Sequence, residues 1–317
     1  MATTGKRKVV VVGAGAVGTT FAYALQISGA AGEIVLVDLD RERAEAEALD
    51  LNHGLFFTQP VSIRAGGYEE CADADIVVIT AGAKQKEGQS RLDLVGENVK
   101  ICRTIVESIT EHTQDAILLM VTNPVDVLTY AVLQFSDYPR ERVIGSGTVL
   151  DTARFRYLLS RNCRVDPHNV HGYVLGEHGD SEVVAWSIAS IAGMRIEEKC
   201  KTCPRRMEDC DREGVGEAVR NSAYHLISGK GATNWAVGLA MVRIVTALLR
   251  DEKSVLTVSS LIDGQYGIED LCLSIPAVLG SNGVEDLLTP KLSDDDRRAL
   301  RASAETIDEV LHEVDLK

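Results

Sequence analysis

From Lys8 to Gly147 the chain alternates short apolar, β-branched runs with longer stretches of helical composition. The runs Lys8–Val12, Glu33–Asp38, Asp75–Thr80, Ala116–Thr122 and Arg142–Ile144 read as strands. Their near-continuous hydrophobicity suits strands covered on both faces. Between them, Val17–Ser28, Arg41–Leu51 and Glu97–Thr110 read as helices, and this alternation predicts βαβ units in a doubly wound parallel α/β sheet. Past Leu150 the pattern changes to a helix over Thr152–Ser160, a mixed segment around His171–Val184 and a long apolar helix over Asn234–Leu249. The runs Val255–Ile262 and Leu271–Leu279, separated by Asp263–Gly264 and Gly267, predict an antiparallel hairpin. A last helix spans Ser293–Val314, with Ser293 at its N-cap and Ile307, Val310, Leu311 and Val314 on one face. Two domains are expected, residues 1–147 and an α+β unit over residues 148–317.

Length agrees, because 317 residues exceed what one core usually holds. With 33 Lys and Arg against 47 Asp and Glu, the formal net charge of -14 repels phosphate backbones and anionic membranes, which argues against nucleic acid as a partner. The same field opposes anionic substrates, so an anion site must be built from local arginines. The N-terminal apolar run breaks at Gly13 without a cleavage pattern, and no apolar stretch reaches the roughly 18 residues of a membrane span. Seven cysteines, an odd number, fit the reducing cytoplasm.

Gly13, Gly15 and Gly18 form a G-x-G-x-x-G that follows a strand and opens a helix, and Asp38 ends the next strand. The first glycine permits a tight turn, the second lets backbone approach a pyrophosphate, and the third allows close helix–strand packing, while the helix N-terminus faces the phosphates. Asp38 can accept hydrogen bonds from ribose hydroxyls and repels a 2′-phosphate, which favours NAD over NADP. The first domain is therefore expected to be Rossmann-type. FAD is a rival ligand for the motif taken alone.

Four further segments carry the chemistry: AGAKQKEGQSRLDLV at 81–95, VTNPVD at 121–126, LDTARFR at 150–156 and GEHGDS at 176–181. In order and spacing the chain resembles the lactate and malate dehydrogenases over nearly its whole length. That resemblance implies hydride transfer between NAD and a 2-hydroxy acid, with Val17, Asn98 and Thr122 joining the glycines and Asp38 around the cofactor. His178 becomes the acid–base group, a role that suits a side chain titrating near neutrality. Asp151 would bond its other ring nitrogen, and Arg154, three residues on along a helix, would share that face and grip the substrate carboxylate bidentately. Arg91, in the glycine-containing segment after the third predicted strand, would close as a lid and meet the substrate's C2 oxygen together with Asn123.

Within the family, the fifth residue of the 81–95 segment separates substrates. Malate enzymes carry Arg there and this chain has Gln85, a neutral amide suited to the methyl group of pyruvate. Thr233, in KGATNW at 230–235, is a second vote for pyruvate and L-lactate, although a Thr before an apolar run can also cap a helix. Branched 2-hydroxy acids stay open and a malate enzyme is the nearest rival, whereas a non-catalytic NAD-binding role ranks far below, since His178, Asp151, Arg91, Arg154 and Asn123 are all present. The expected reaction is the closing step of lactate fermentation.

Arg156 lies roughly 200° around a helix from Arg154 and must face elsewhere. An extended backbone would likewise put His171 opposite His178. In the bacterial lactate dehydrogenases that respond to fructose bisphosphate, an Arg and a His at these positions bind the effector between subunits, so the resemblance implies an activated homotetramer. Cys200, Cys203 and Cys210 depart from the family pattern. They read as surface thiols, because a zinc knot lacks a fourth ligand nearby, and no metal is expected.

Overall fold

A computed structural model describes residues 7–83, 90–202 and 212–317. Six strands build a parallel sheet: β1 (Lys8–Val12), β2 (Glu33–Val37), β3 (Ser62–Ala65), β4 (Ile76–Ile79), β5 (Ile117–Met120) and β6 (Val143–Gly145). Two antiparallel strands, β7 (Ser259–Asp263) and β8 (Glu269–Ser274), extend it in the order β8-β7-β6-β5-β4-β1-β2-β3. The expected doubly wound sheet is present, and the predicted hairpin is its continuation. Strand order reverses between β1 and β4, which opens the crevice where such sheets bind ligands.

The apolar runs are explained by two cores. Val10, Val12, Val77, Ile79, Leu118 and Met120 point to one face of the sheet, while their neighbours Val9, Val11, Ile76, Val78, Ile117 and Leu119 point to the other. Helices α3 (Arg91–Thr110), α4 (Val125–Phe135) and α9 (Asp294–Glu313) cover the first face. Helices α1 (Ala16–Ser28), α2 (Arg41–His53) and α8 (Trp235–Leu249) cover the second. A smaller third core joins α5 (Val149–Cys163), α6 (Ile196–Thr202) and α7 (Arg212–Lys230) to the short strands around residues 170–191. Each fully buried Val, Ile or Leu contributes about 1.5–3 kcal/mol relative to exposure. Among the described residues no helix is long and apolar enough to cross a membrane.

Three expectations are corrected. Strand β3 was not foreseen, since in Ser62–Ala65 only Ile63 is buried and no apolar run marks this edge strand. The run Val255–Ile262 divides: Ser254–Leu256 pairs with Ala277–Gly280 in a separate sheet, and only Ser259 onward joins the main one. Finally, α3 starts at Arg91 instead of Glu97, because the Ser90 hydroxyl accepts the Asp93 amide and caps it. Arg91 thus heads a helix and does not belong to the preceding segment.

Candidate active site

The glycine turn shows why only glycine fits it. Gly13 has φ +106°, and a Cβ there would meet the Ala81 nitrogen at 2.7 Å; a Cβ at Gly18 would collide with the Gly13 carbonyl. At Gly15 a Cβ would meet nothing within 4 Å, so the space over the N-terminus of α1 is open for a pyrophosphate. Val17 is half-buried in the first turn of α1. Asp38, at the end of β2, accepts the Ala14 amide at 2.6 Å and the Asp40 amide at 2.9 Å, which fixes its carboxylate at the edge of the turn. These residues fit a dinucleotide.

Asn98 and Thr122 bond to the backbone of the loops after β4 and β5. Asn98 is 2% exposed; its Oδ1 accepts the Ala83 amide at 2.7 Å and its Nδ2 donates to the Asn123 carbonyl at 3.0 Å. The Thr122 hydroxyl donates to the Ala81 carbonyl at 2.8 Å. Both tie together the loops that follow β4 and β5. Asn123, in the loop after β5, is exposed.

The acid–base pair is assembled by α5 and the loop after the strand Val174–Leu175. Helix α5 is pinned at its start, where the buried Thr148 donates its amide to the Thr257 carbonyl at 3.0 Å and its hydroxyl to the Val174 carbonyl at 2.5 Å. One turn on, Asp151 is 1% exposed. Its Oδ2 faces Nδ1 of His178 at 2.6 Å, and its Oδ1 accepts from Arg154 at 2.7 Å. The loop carrying His178 is held from three sides. Gly176 exchanges backbone bonds with Ser274 of β8, the Glu177 amide donates to Ser303 of α9 at 2.8 Å, and the His178 amide donates to Asp126 of α4 at 2.7 Å.

Electrostatics follow from this packing. Burial on its own would lower the pKa of His178, but the carboxylate of Asp151, aided by Asp126 and Glu182, outweighs it and raises the imidazole to about 9. Burial would raise the carboxyl of Asp151, and His178 and Arg154 reverse that, so it lies below the usual carboxylate range. Asp126, fully enclosed, is pushed up to about 6 by burial against the stabilising His178 amide. Asp126 and Glu182 were missed as site residues. Asp126 had one signal, a lone carboxylate on the otherwise apolar α4; Glu182 had none beyond adjacency to GEHGDS.

Asp151, His178 and Glu182 are the one acidic and histidine cluster, among the described residues, with the spacing of a metal site. Both oxygens of Asp151 are already engaged by His178 and Arg154, so the arrangement is that of an acid–base pair. Thr233 is half-buried just before α8, whose N-cap is Asn234 without a side-chain cap bond. The capping alternative for Thr233 is thereby removed. Asn234 instead donates to Thr20 of α1 at 3.0 Å, locking this corner to the cofactor helix. Gln85, Cys203 and Cys210 lie outside the described residues, as do the side chains of Arg91 and Cys200.

Arg156 is half-buried on the far side of α5; its Nε donates to the Gly172 carbonyl at 3.0 Å and its guanidinium lies 5.2 Å from the Tyr173 ring. That brings it against the strand carrying His171, which is exposed. The chain reaches His178 through a turn at Gly176, φ +87°, and not by an unbroken pleat, which corrects the route expected between the two histidines.

The sequence pattern of the lactate/malate dehydrogenase NAD binding domain matches residues 7–145, and that of the lactate/malate dehydrogenase alpha/beta C-terminal domain matches residues 148–315. The chain is 51% identical to an L-lactate dehydrogenase of Acetivibrio thermocellus, covering 98% of each. It is 52% identical to an L-lactate dehydrogenase of Treponema denticola, again covering 98% of each. The solved minor L-lactate dehydrogenase from Enterococcus mundtii, in its ligands-bound form, superposes with a TM-score of 0.94 at 43% identity, covering 97% of this chain and 98% of that one.

Proposed function

The chain belongs to the lactate/malate dehydrogenase family and is an NAD-dependent oxidoreductase; from that premise we propose that it interconverts pyruvate and L-lactate. The observation that carries the reading is Asp151 held between His178 and Arg154, which joins a proton donor and a carboxylate fork in one rigid unit. NADH, when bound, supplies the hydride for C2 of pyruvate. Arg154 anchors the substrate carboxylate, with Thr233 beside it. His178 gives its proton to the C2 oxygen as negative charge grows there, and Asn123 and Arg91 stabilise that charge. In the reverse direction His178 takes the hydroxyl proton, and Asp151 stabilises the imidazolium. Gln85 selects the methyl group over a second carboxylate. NADH oxidation with pyruvate is expected to exceed that with oxaloacetate by at least about tenfold in kcat/KM; faster turnover of oxaloacetate would reverse the assignment.

We also propose activation by fructose bisphosphate through Arg156 and His171 in a homotetramer working in the cytoplasm. Support comes from the packing of Arg156 against the His171 strand, and from the free thiols of Cys71, Cys102, Cys163 and Cys272, which suit a reducing compartment. Exposed Tyr23 and Ile27 on α1, Phe56 and Phe57 after α2, and Leu239 on α8 supply apolar surface for contact between copies. Fructose bisphosphate is expected to lower the KM for pyruvate by about 5- to 150-fold and to shift sedimentation toward the tetramer. In Arg156→Gln both responses disappear. Unchanged KM and assembly in the unaltered enzyme would end this proposal.

A further inference from the structure

Glu182 helps to raise His178 but takes no step in the chemistry above, yet it is only 6% exposed and its Oε1 lacks a hydrogen-bond partner among the described residues. One of its oxygens, one of Asp151 and a ring nitrogen of His178 all lie within 4.8 Å of one another. An ionised Glu182 would place a second negative charge beside Asp151. His178, Arg154 and Arg220 favour its charge, but burial and Asp151 outweigh them: His178 and Arg154 are both engaged by Asp151, and Arg220 lines a cleft of about 400 Å³. That cleft is also faced by Glu213 of α7 and by Asp295 and Asp296 of α9, so acidic groups dominate its rim. Two carboxylates in one buried site do not both ionise readily. The neutral acid is the favoured form.

We propose that Glu182 is a positioning residue for proton transfer, a neutral carboxylic acid packed behind the Asp151–His178 pair, whose loss of a proton strengthens the hold of His178 on its own. The proposal rests on the reading of His178 as the proton donor. Burial and the neighbouring Asp151 raise Glu182 to about 8, into the alkaline range where His178 also titrates. As pH rises the two groups titrate as a coupled pair, and the proton that Glu182 gives up goes to solvent. The new charge then acts on the imidazolium and carries the proton-donating form of the enzyme to higher pH. Asp126 acts on His178 in the same direction from α4, and Arg154 opposes both.

The test is the pH profile of kcat/KM for pyruvate in the NADH-supplied enzyme. Glu182→Gln preserves shape and removes the titrating group. The descending alkaline limb is expected to move down by about one pH unit, the size expected for a unit charge about 5 Å away behind partial screening. Glu182→Asp is expected to bring the limb back toward its original position. A limb that stays in place in Glu182→Gln, whatever the plateau height, overturns the proposal. Should that variant fail to fold, infrared titration of the unaltered enzyme decides: a protonated carboxyl band present at pH 7 and lost through about pH 8 supports it, and no such band at pH 7 overturns it. A wild-type profile with no alkaline limb, or a limb that survives in His178→Asn, would instead remove the role of His178 itself.

Discussion

Asparagine in place of His178 is expected to lower kcat for pyruvate reduction by about a thousandfold, with a much smaller change in KM. Asn can still donate a hydrogen bond toward Asp151, so the buried carboxylate keeps a partner and the loop keeps its anchors on Asp126, Ser303 and Ser274. What is lost is a proton that can be given to the C2 oxygen. The raised pKa sets the pH range of this effect. With His178 at about 9, reduction holds level through neutral pH and declines above about 9, while lactate oxidation rises over the same interval. Stability is linked to the same proton. Because the folded value is raised above the ordinary 6.5, the contribution of the charged pair is complete below about 6.5 and fades as pH climbs through about 9. The thermal advantage of the wild type over the variant should therefore shrink across that window. Near-normal kcat in the Asn variant would eliminate His178 as the acid.

The second large effect is expected at Arg154. Lysine there keeps the charge but loses the planar fork, and kcat/KM for pyruvate should fall about 10²–10³-fold, mainly through KM. Two features of the chain make this residue so consequential. Its net charge of -14 repels pyruvate at long range, so capture depends on a cation at close quarters. Arg154 is also fixed in direction by its bond to Asp151 at 2.7 Å, which leaves the rest of the guanidinium aimed by the helix and not by chance. A KM within about threefold of wild type would show that simple charge attraction suffices and that the fork has no role.

Much of this was legible in sequence, for identifiable reasons. β1 was legible because a parallel strand covered on both faces carries a near-continuous apolar run, which Val9–Val12 supplies, while the buried Lys8 at its start is paired with Glu70. The glycines were legible because a positive φ and a missing Cβ are properties of single residues. Asp151 and Arg154 were legible as a pair because helix periodicity fixes their common face. Asp126 and Glu182 were not, since what makes them matter is burial against His178 from other elements, and no local pattern encodes a contact between positions 126 and 178. β3 was lost because an edge strand with one buried residue carries no hydrophobic run. Asn98 was assigned to the cofactor through the resemblance alone, and its bonds to the Ala83 and Asn123 backbone are visible only in the folded loops.

Strands β7 and β8 come from the second half of the chain yet finish the sheet of the first, and the seam between them is close. Ser259 pairs with Gly145, a Cβ at Gly147 would strike Ser259 and Ser274, and Ser274 in turn holds Gly176 two residues before His178. The two halves are thus not portable modules. In a hybrid drawing its cofactor half from one relative and its catalytic half from another, the placement of the His178 loop against the parallel sheet would depend on this row of glycines and serines. Such a hybrid is expected to fold with its catalytic loop in place when both parents carry small residues along that row.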